Sequence, residues 1–319
     1  MWILFTTRLF RNCLYDYWRF FNYSGANPKR QYHGERAARL TMAFHQLEKG
    51  LSLSAPRPGF GKEVAARLIQ DIGTFVADFG FIEPAPSALG ALNAYIAFNE
   101  EHNIDVATLK AAVSQCLLGV AGSTPECPAG GTWTVDRDDL EKKRNAGFMP
   151  FFNSRHSVRH FSGGPIPEAH IREAIRLAQK TPSVCNRQAW KAHVYSKSED
   201  VASLLAIQAG SRGFGEQVSA VLVVTCDLTR FVNVGERYQA WIDGGMFSMA
   251  TCLALHSLGY GTCCLTWAKE MHTDMALRKA AHIGTEEQII MLIAVGTLPQ
   301  TFRVARSPRR PLQDALQFH

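Results

Sequence analysis

Two short stretches decide how this chain is read: Arg155-His156-Ser157-Val158-Arg159 and, after an intervening helical segment, Pro182-Ser183-Val184-Cys185-Asn186-Arg187-Gln188-Ala189-Trp190. In the first, two guanidiniums four residues apart flank a hydroxyl. That set suits a phosphate monoester, whose charged oxygens accept from planar Arg donors and from a Ser hydroxyl together. Between the stretches, Pro165 and Pro167 precede Glu168, and Ile171, Ala174, Ile175 and Ala178 recur at helical spacing, so a helix is predicted that ends at Thr181-Pro182. In the second stretch Ser183, Asn186 and Gln188 crowd hydroxyl and amide groups between two apolar segments. Such groups can read the edge of a flat heterocycle, where donors and acceptors alternate.

On these residues, the chain from about Phe151 to Gln313 resembles the nitroreductase family of FMN-dependent oxidoreductases. That family's signature pairs an Arg-x-Ser-x-basic loop with a downstream Pro-Ser-x-x-Asn-x-Gln turn. The resemblance implies an α+β fold: a mixed β-sheet flanked by helices, here preceded by an all-helical N-terminal region. It also implies FMN as cofactor, with Arg155 and Ser157 on its phosphate, His156 in the same loop, and Arg159 beside the pyrimidine side of the ring. A cation there favours the reduced flavin, which gains negative charge at that edge. By the same resemblance Pro182, Ser183, Asn186 and Gln188 approach the flavin from the other subunit of a homodimer. The backbone at Leu265, Thr266 and Trp267 lines the flavin near its reactive nitrogen, and Arg309, two residues before Pro311, is a further phosphate ligand.

The chemistry implied is ping-pong hydride transfer, with NAD(P)H as donor and a flat conjugated nitro, quinone or enone compound as acceptor. No side chain acts as a nucleophile and no metal is expected. Two departures stand out. Ala189 replaces a usual proline before Trp190, and Ser211 and Phe214 stand where relatives often place Asn and Lys against the flavin. Alternatives left open are a flavin-dependent dehydrogenase passing electrons to oxygen and a non-catalytic, membrane-associated flavin-binding protein.

Other chemistries find no support in the sequence. There is no Gly-Lys-Ser/Thr phosphate loop, no His-Glu-x-x-His and no Gly-x-Ser-x-Gly. Gly213-Phe214-Gly215 begins a dinucleotide fingerprint, but Val218 occupies the third glycine's place.

With 319 residues and 46% hydrophobic content the chain can bury a large core, and its length suggests about two domains. A net charge of +6, spread along the chain, favours anionic small molecules or a membrane surface over nucleic acid. Eight cysteines lie mostly inside apolar runs, as expected of free thiols in a reduced, cytoplasmic protein. The neighbours Cys263 and Cys264 are poorly placed for a structural disulfide.

Three regions are expected: a helical region 1–118, a linker and connecting segment 119–150, and an FMN-binding domain 151–319. Residues 1–22 carry too many arginines for a membrane span and read as a docked helix, with peripheral membrane contact as the alternative. Helices are predicted over Gly34–Lys49, Lys62–Phe79, Ser87–His102 and Asp105–Leu118, with Gly50 as a stop and Pro56–Gly61 as a loop offering Arg57 and Phe60. In the second half, strands are expected at Lys191–Ser196, Ala220–Cys226, Gly261–Thr266 and Ile289–Val295. Helices are expected at Glu199–Gln208, Arg237–Leu258 and Glu270–Ala281. The middle one is apolar on nearly every face, which predicts full burial, and its Gly244-Gly245 pair predicts close approach by another backbone or by a ring.

Overall fold

In the computed structural model the structure describes residues 6–7, 10, 13–14, 33–118, 130–184, 187–228 and 234–319. Most of the expected N-terminal helix and nearly all of the Gly119–Gly131 linker therefore lie outside the described residues. The chain divides into two units, one of residues 1–133 with 304–319 and one of residues 134–303.

The first unit is built on helices α1 (His33–Leu51), α2 (Lys62–Phe79), α3 (Ala85–Glu101) and α4 (Ala107–Leu118). In α2 the residues Ala65, Leu68, Ile72 and Phe75 recur every three or four positions, and all four are buried. Burying each larger one contributes about 1.5–3 kcal/mol. They meet Leu40, Phe44 and Leu47 of α1 and Leu89, Leu92 and Tyr95 of α3 in a single core. Buried polar groups there have partners: Glu48 accepts from the Gly131 amide at 3.0 Å, and Asn99 accepts from the Gly59 amide at 2.7 Å. The Pro56–Gly61 loop is thus pinned. Phe60 packs inward against Tyr95, with ring centroids 5.3 Å apart. Gly50 does not stop α1 but lies inside it, and a Cβ there would fall 2.0 Å from the Phe60 ring. The glycine makes room for that ring.

The second unit holds a four-stranded sheet with strand order β2-β3-β5-β4, formed by β2 (Trp190–Tyr195), β3 (Ala220–Asp227), β4 (Gly261–Thr266) and β5 (Glu287–Gly296). Neighbouring strands pair antiparallel, with Val223 opposite Leu292 and Cys264 opposite Ile293. The central strands β3 and β5 read as continuous apolar runs because both of their faces are covered, and Val221 to Val224 are wholly buried. Helices α5 (Arg137–Asn145), α6 (Phe148–Ser154), α7 (Glu168–Ala178), α8 (Ser198–Gln208), α9 (Gln239–Ser257) and α10 (Met271–Ala281) complete the unit. This is the expected α+β class, a sheet flanked by helices and preceded by a helical region.

Two strands were not anticipated: β1 (Thr132–Asp136) and β6 (Thr301–Ala305) form a separate two-stranded sheet. The division between the units falls within both.

Helix α9 corrects its expectation. One face is buried, through Asp243, Gly244, Phe247, Thr251 and Leu255, and Phe247 stacks on Trp190 at 5.2 Å between ring centroids. The opposite face leaves Trp241, Ile242, Met246 and Met249 exposed, so uniform apolarity here does not mean uniform burial. Gly244 meets side chains, not a backbone or ring. A Cβ would come within 2.5 Å of Ile290 and 3.0 Å of the Cys226 sulfur, whereas Gly245 faces open space. No described helix is long and apolar enough to cross a membrane.

Candidate functional site

The cationic loop is seated by sheet pairing. Helix α6 ends as Arg155 turns to extended backbone (φ −77°, ψ 123°), and the chain then runs along the edge strand β4. Ser157 forms a parallel bridge with Thr262, and the Val158 amide donates to the Thr262 carbonyl at 2.9 Å. Two paired glycines make the space for this docking. A Cβ on Gly296 would lie 2.6 Å from the Phe161 ring, and one on Gly261 would crowd Leu298 at 2.7 Å with Phe161 and Val158 at 3.2 Å. Nothing in the linear spacing of these glycines betrayed that role.

Seated in this way, the loop carries charge without countercharge. Arg155 is half-buried, and its side chain has no hydrogen-bond or ion-pair partner among the described residues. Arg159 is 8% exposed, and its Nη1 reaches the Ser157 carbonyl at 3.4 Å, a long and weak contact. No carboxylate pairs with it among the described residues. A buried guanidinium left so is costly unless an anion completes it. The donor set therefore fits a phosphate or an electron-rich ring edge. His160, just beyond, has its pKa lowered by burial and by the charge of Arg303.

Arg155 and His156 also line a small pocket with Ser154, His256, Tyr260 and Thr262. Ser154 Oγ donates to the Phe151 carbonyl at 2.8 Å and lies 2.8 Å from His256 Nε2. With its proton committed to the carbonyl, the hydroxyl accepts from His256. The pair is therefore not arranged as nucleophile and base.

The second stretch is held at the other end of α9. Asp243, fully buried, accepts from the Val184 amide at 3.3 Å and from Gln239 at 2.7 Å. Arg187 pairs with Glu236, and Ser183 Oγ accepts from the Gln188 amide at 3.0 Å. Gln188 adopts φ 48°, the left-handed conformation of a turn. Pro182 precedes this turn; Asn186 and Cys185 lie outside the described residues.

Gln208 joins the end of β4 to the segment after α8. Its Nε2 donates to the Thr266 carbonyl at 3.0 Å while its Oε1 accepts from Gly210 at 2.6 Å. Trp267 is buried and its Nε1 donates to Asp274 at 2.8 Å. Ser211 and Phe214 point inward, Phe214 packing 6.2 Å from the Phe161 ring. Arg309 belongs to the first unit, is exposed, and donates to the Ser307 carbonyl at 2.6 Å. Among the described residues no cluster could hold a metal ion.

Asp243 and Gln208 are the positioning residues that sequence reasoning passed over. Each lies in a helix rich in apolar residues, and each holds one backbone group distant in sequence, Val184 for Asp243 and Thr266 for Gln208.

An antiparallel sheet covered by helices, with a cationic loop docked on its edge strand, defines an α+β fold. The nitroreductase family model matches residues 153–224 and 202–297, so this part of the chain is similar to that family. Comparison with curated proteins returns no significant match. Among solved structures, an FMN-dependent nitroreductase from Clostridium difficile R20291 is 18% identical, covering 46% of this chain and 86% of its own with a TM-score of 0.41. A nitroreductase family protein from Clostridium novyi NT is 19% identical over 48% of this chain and 86% of its own, with a TM-score of 0.42. A nitroreductase-type protein from Exiguobacterium sibiricum in complex with FMN is 19% identical over 55% and 98%, with a TM-score of 0.47.

Proposed function

We propose that the chain is an FMN-dependent oxidoreductase that takes hydride from NAD(P)H and reduces a flat conjugated acceptor of nitro, quinone or enone type. The observation that carries this reading is the pair of guanidiniums on one loop, Arg155 and Arg159, with no carboxylate partner among the described residues. Similarity of residues 153–297 to the nitroreductase family supports it.

In this reading 151–319 is the flavin-binding domain, reached from the helical region 1–118 through 119–150. Arg155 and Ser157, with His156 beside them, hold the phosphate. Arg159 lies against the pyrimidine edge of the ring. The Thr266–Trp267 backbone, steadied by Gln208, lines the reactive face. FMN supplies a two-electron carrier that accepts and returns hydride. The protein's share is to bind, to orient and to stabilise negative charge on the reduced ring through Arg159.

Pro182, Ser183, Asn186 and Gln188 serve the flavin of a second subunit. The exposed apolar face of α9, with Trp241, Ile242, Met246 and Met249, supports a homodimer, because a patch of that kind marks an interaction surface. The protein works in the cytoplasm, with residues 1–22 available for peripheral membrane contact. The test is steady-state oxidation of NADH and NADPH by FMN-loaded protein with a quinone, under nitrogen. Quinone-dependent oxidation is expected. Absence of turnover by a flavin-loaded protein with every donor and acceptor class would remove the catalytic reading.

A further inference from the structure

Beyond the flavin chemistry, we infer that Cys252 and Cys264 are a redox-active dithiol that closes to an intrachain disulfide by exchange with low-molecular-weight disulfides. The two sulfurs lie 3.5 Å apart, in contact without a bond, one on the buried face of α9 and the other on the edge strand β4. Their exposure differs in the way a two-step exchange needs. Cys264 is exposed, so a small disulfide can reach it, whereas Cys252 is 1% exposed and meets only what Cys264 brings.

Neighbouring Cys263 is excluded as the partner. Successive strand residues face opposite sides of a sheet, and Cys263 is buried on the other face. The surroundings favour a thiolate at the buried sulfur. The hydrogen-bonding contact between the two sulfurs lowers the pKa of Cys252 against the effect of burial, and the Thr262 hydroxyl and the Arg155 charge lower it further. The same contact, together with burial, raises that of Cys264.

The steps balance as follows. Cys264 passes its proton to Cys252 and attacks one sulfur of a disulfide RSSR, forming a mixed disulfide and releasing RS⁻. The released thiolate takes the proton back from Cys252. Cys252 as thiolate then attacks the Cys264 sulfur, closing the protein disulfide and releasing the second RS⁻, which takes a proton from water. The net change is one protein thiol and one protein thiolate oxidised to a disulfide, with RSSR reduced to two RSH and one proton drawn from water. Arg155 is within electrostatic reach of both sulfurs, so closure removes two ionisable groups from beside the cationic loop.

The experiment exposes full-length protein to oxidised glutathione, blocks residual thiols, and maps every cysteine by peptide mass spectrometry. The expected product is a Cys252–Cys264 crosslink that an excess of reduced glutathione reverses. In Cys252→Ser the crosslink is lost and glutathione remains on Cys264; in Cys264→Ser, an exposed position whose change leaves the fold intact, Cys252 stays unmodified. The inference is overturned if wild-type Cys264 stays free, if it retains glutathione without crosslinking, or if it crosslinks to any other cysteine. None of these readouts depends on bound flavin.

Discussion

At the scale of single residues, Arg155 and Arg159 separate binding from electronics. Arg155 is accessible and assigned to phosphate, so Arg155→Ala should weaken FMN binding by about 1.5–3 kcal/mol, or roughly ten- to a hundredfold, without moving the potential of the flavin that remains bound. Arg159 is buried and assigned to the ring. Arg159→Ala should lower the flavin reduction potential as well as the affinity, because the lost charge favours the reduced anion over the neutral ring. Flavin titration and potentiometry against a reference dye read both. A potential shift in the first variant and none in the second would exchange the two roles. Gly244 offers a third residue-scale test: Gly244→Ala drives a Cβ toward Ile290 and should destabilise the protein by about 1–3 kcal/mol in urea unfolding.

At the scale of elements, Glu287 ties three strands together. It is buried at the start of β5, accepts from Lys191 at 2.5 Å and His193 at 2.7 Å on β2, and accepts from Thr225 on β3. Burial alone would raise its pKa, but these hydrogen bonds outweigh burial and bring it from 4.5 down to about 2. A depressed carboxylate stabilises the fold above its unfolded pKa, and the contribution is lost as pH falls through the folded value. Stability measured by urea midpoints should therefore fall between about pH 4.5 and about pH 2. Glu287→Gln should flatten that fall and lower stability at neutral pH. An unchanged pH profile in the variant would show that other carboxylates control acid unfolding.

The elements also show what a sequence can carry. Helix Lys62–Phe79 and strand Gly261–Thr266 match their expected limits because hydrophobic period and turn residues agree there. Strands β1 and β6 escaped notice because each is five residues long and paired across a large sequence separation. The exposed face of α9 was misjudged for a related reason: apolarity is written in the residues, but what covers it is not. Arg155, Ser157 and Arg159 were picked out as candidates because their spacing is local. Asp243 and Gln208 were not, since each acts on a backbone group far along the chain.

At the scale of the whole molecule, the proposed cofactor and the proposed assembly are linked. Trp241, Ile242, Met246 and Met249 are expected to be covered in a homodimer, so light scattering of flavin-loaded protein should report two chains. Met246→Glu, placing charge on that face, should shift it toward monomer and weaken FMN binding in parallel. A fully flavin-loaded monomer would remove the cross-subunit roles of Ser183 and Asn186. The most direct test of the central claim is titration of flavin-free protein with FMN, followed by quenching of flavin fluorescence, for the wild type and Arg155→Ala. Saturable binding by the wild type, weakened roughly tenfold or more in the variant, is predicted. Absence of binding, or equal affinity in the two proteins, would contradict it.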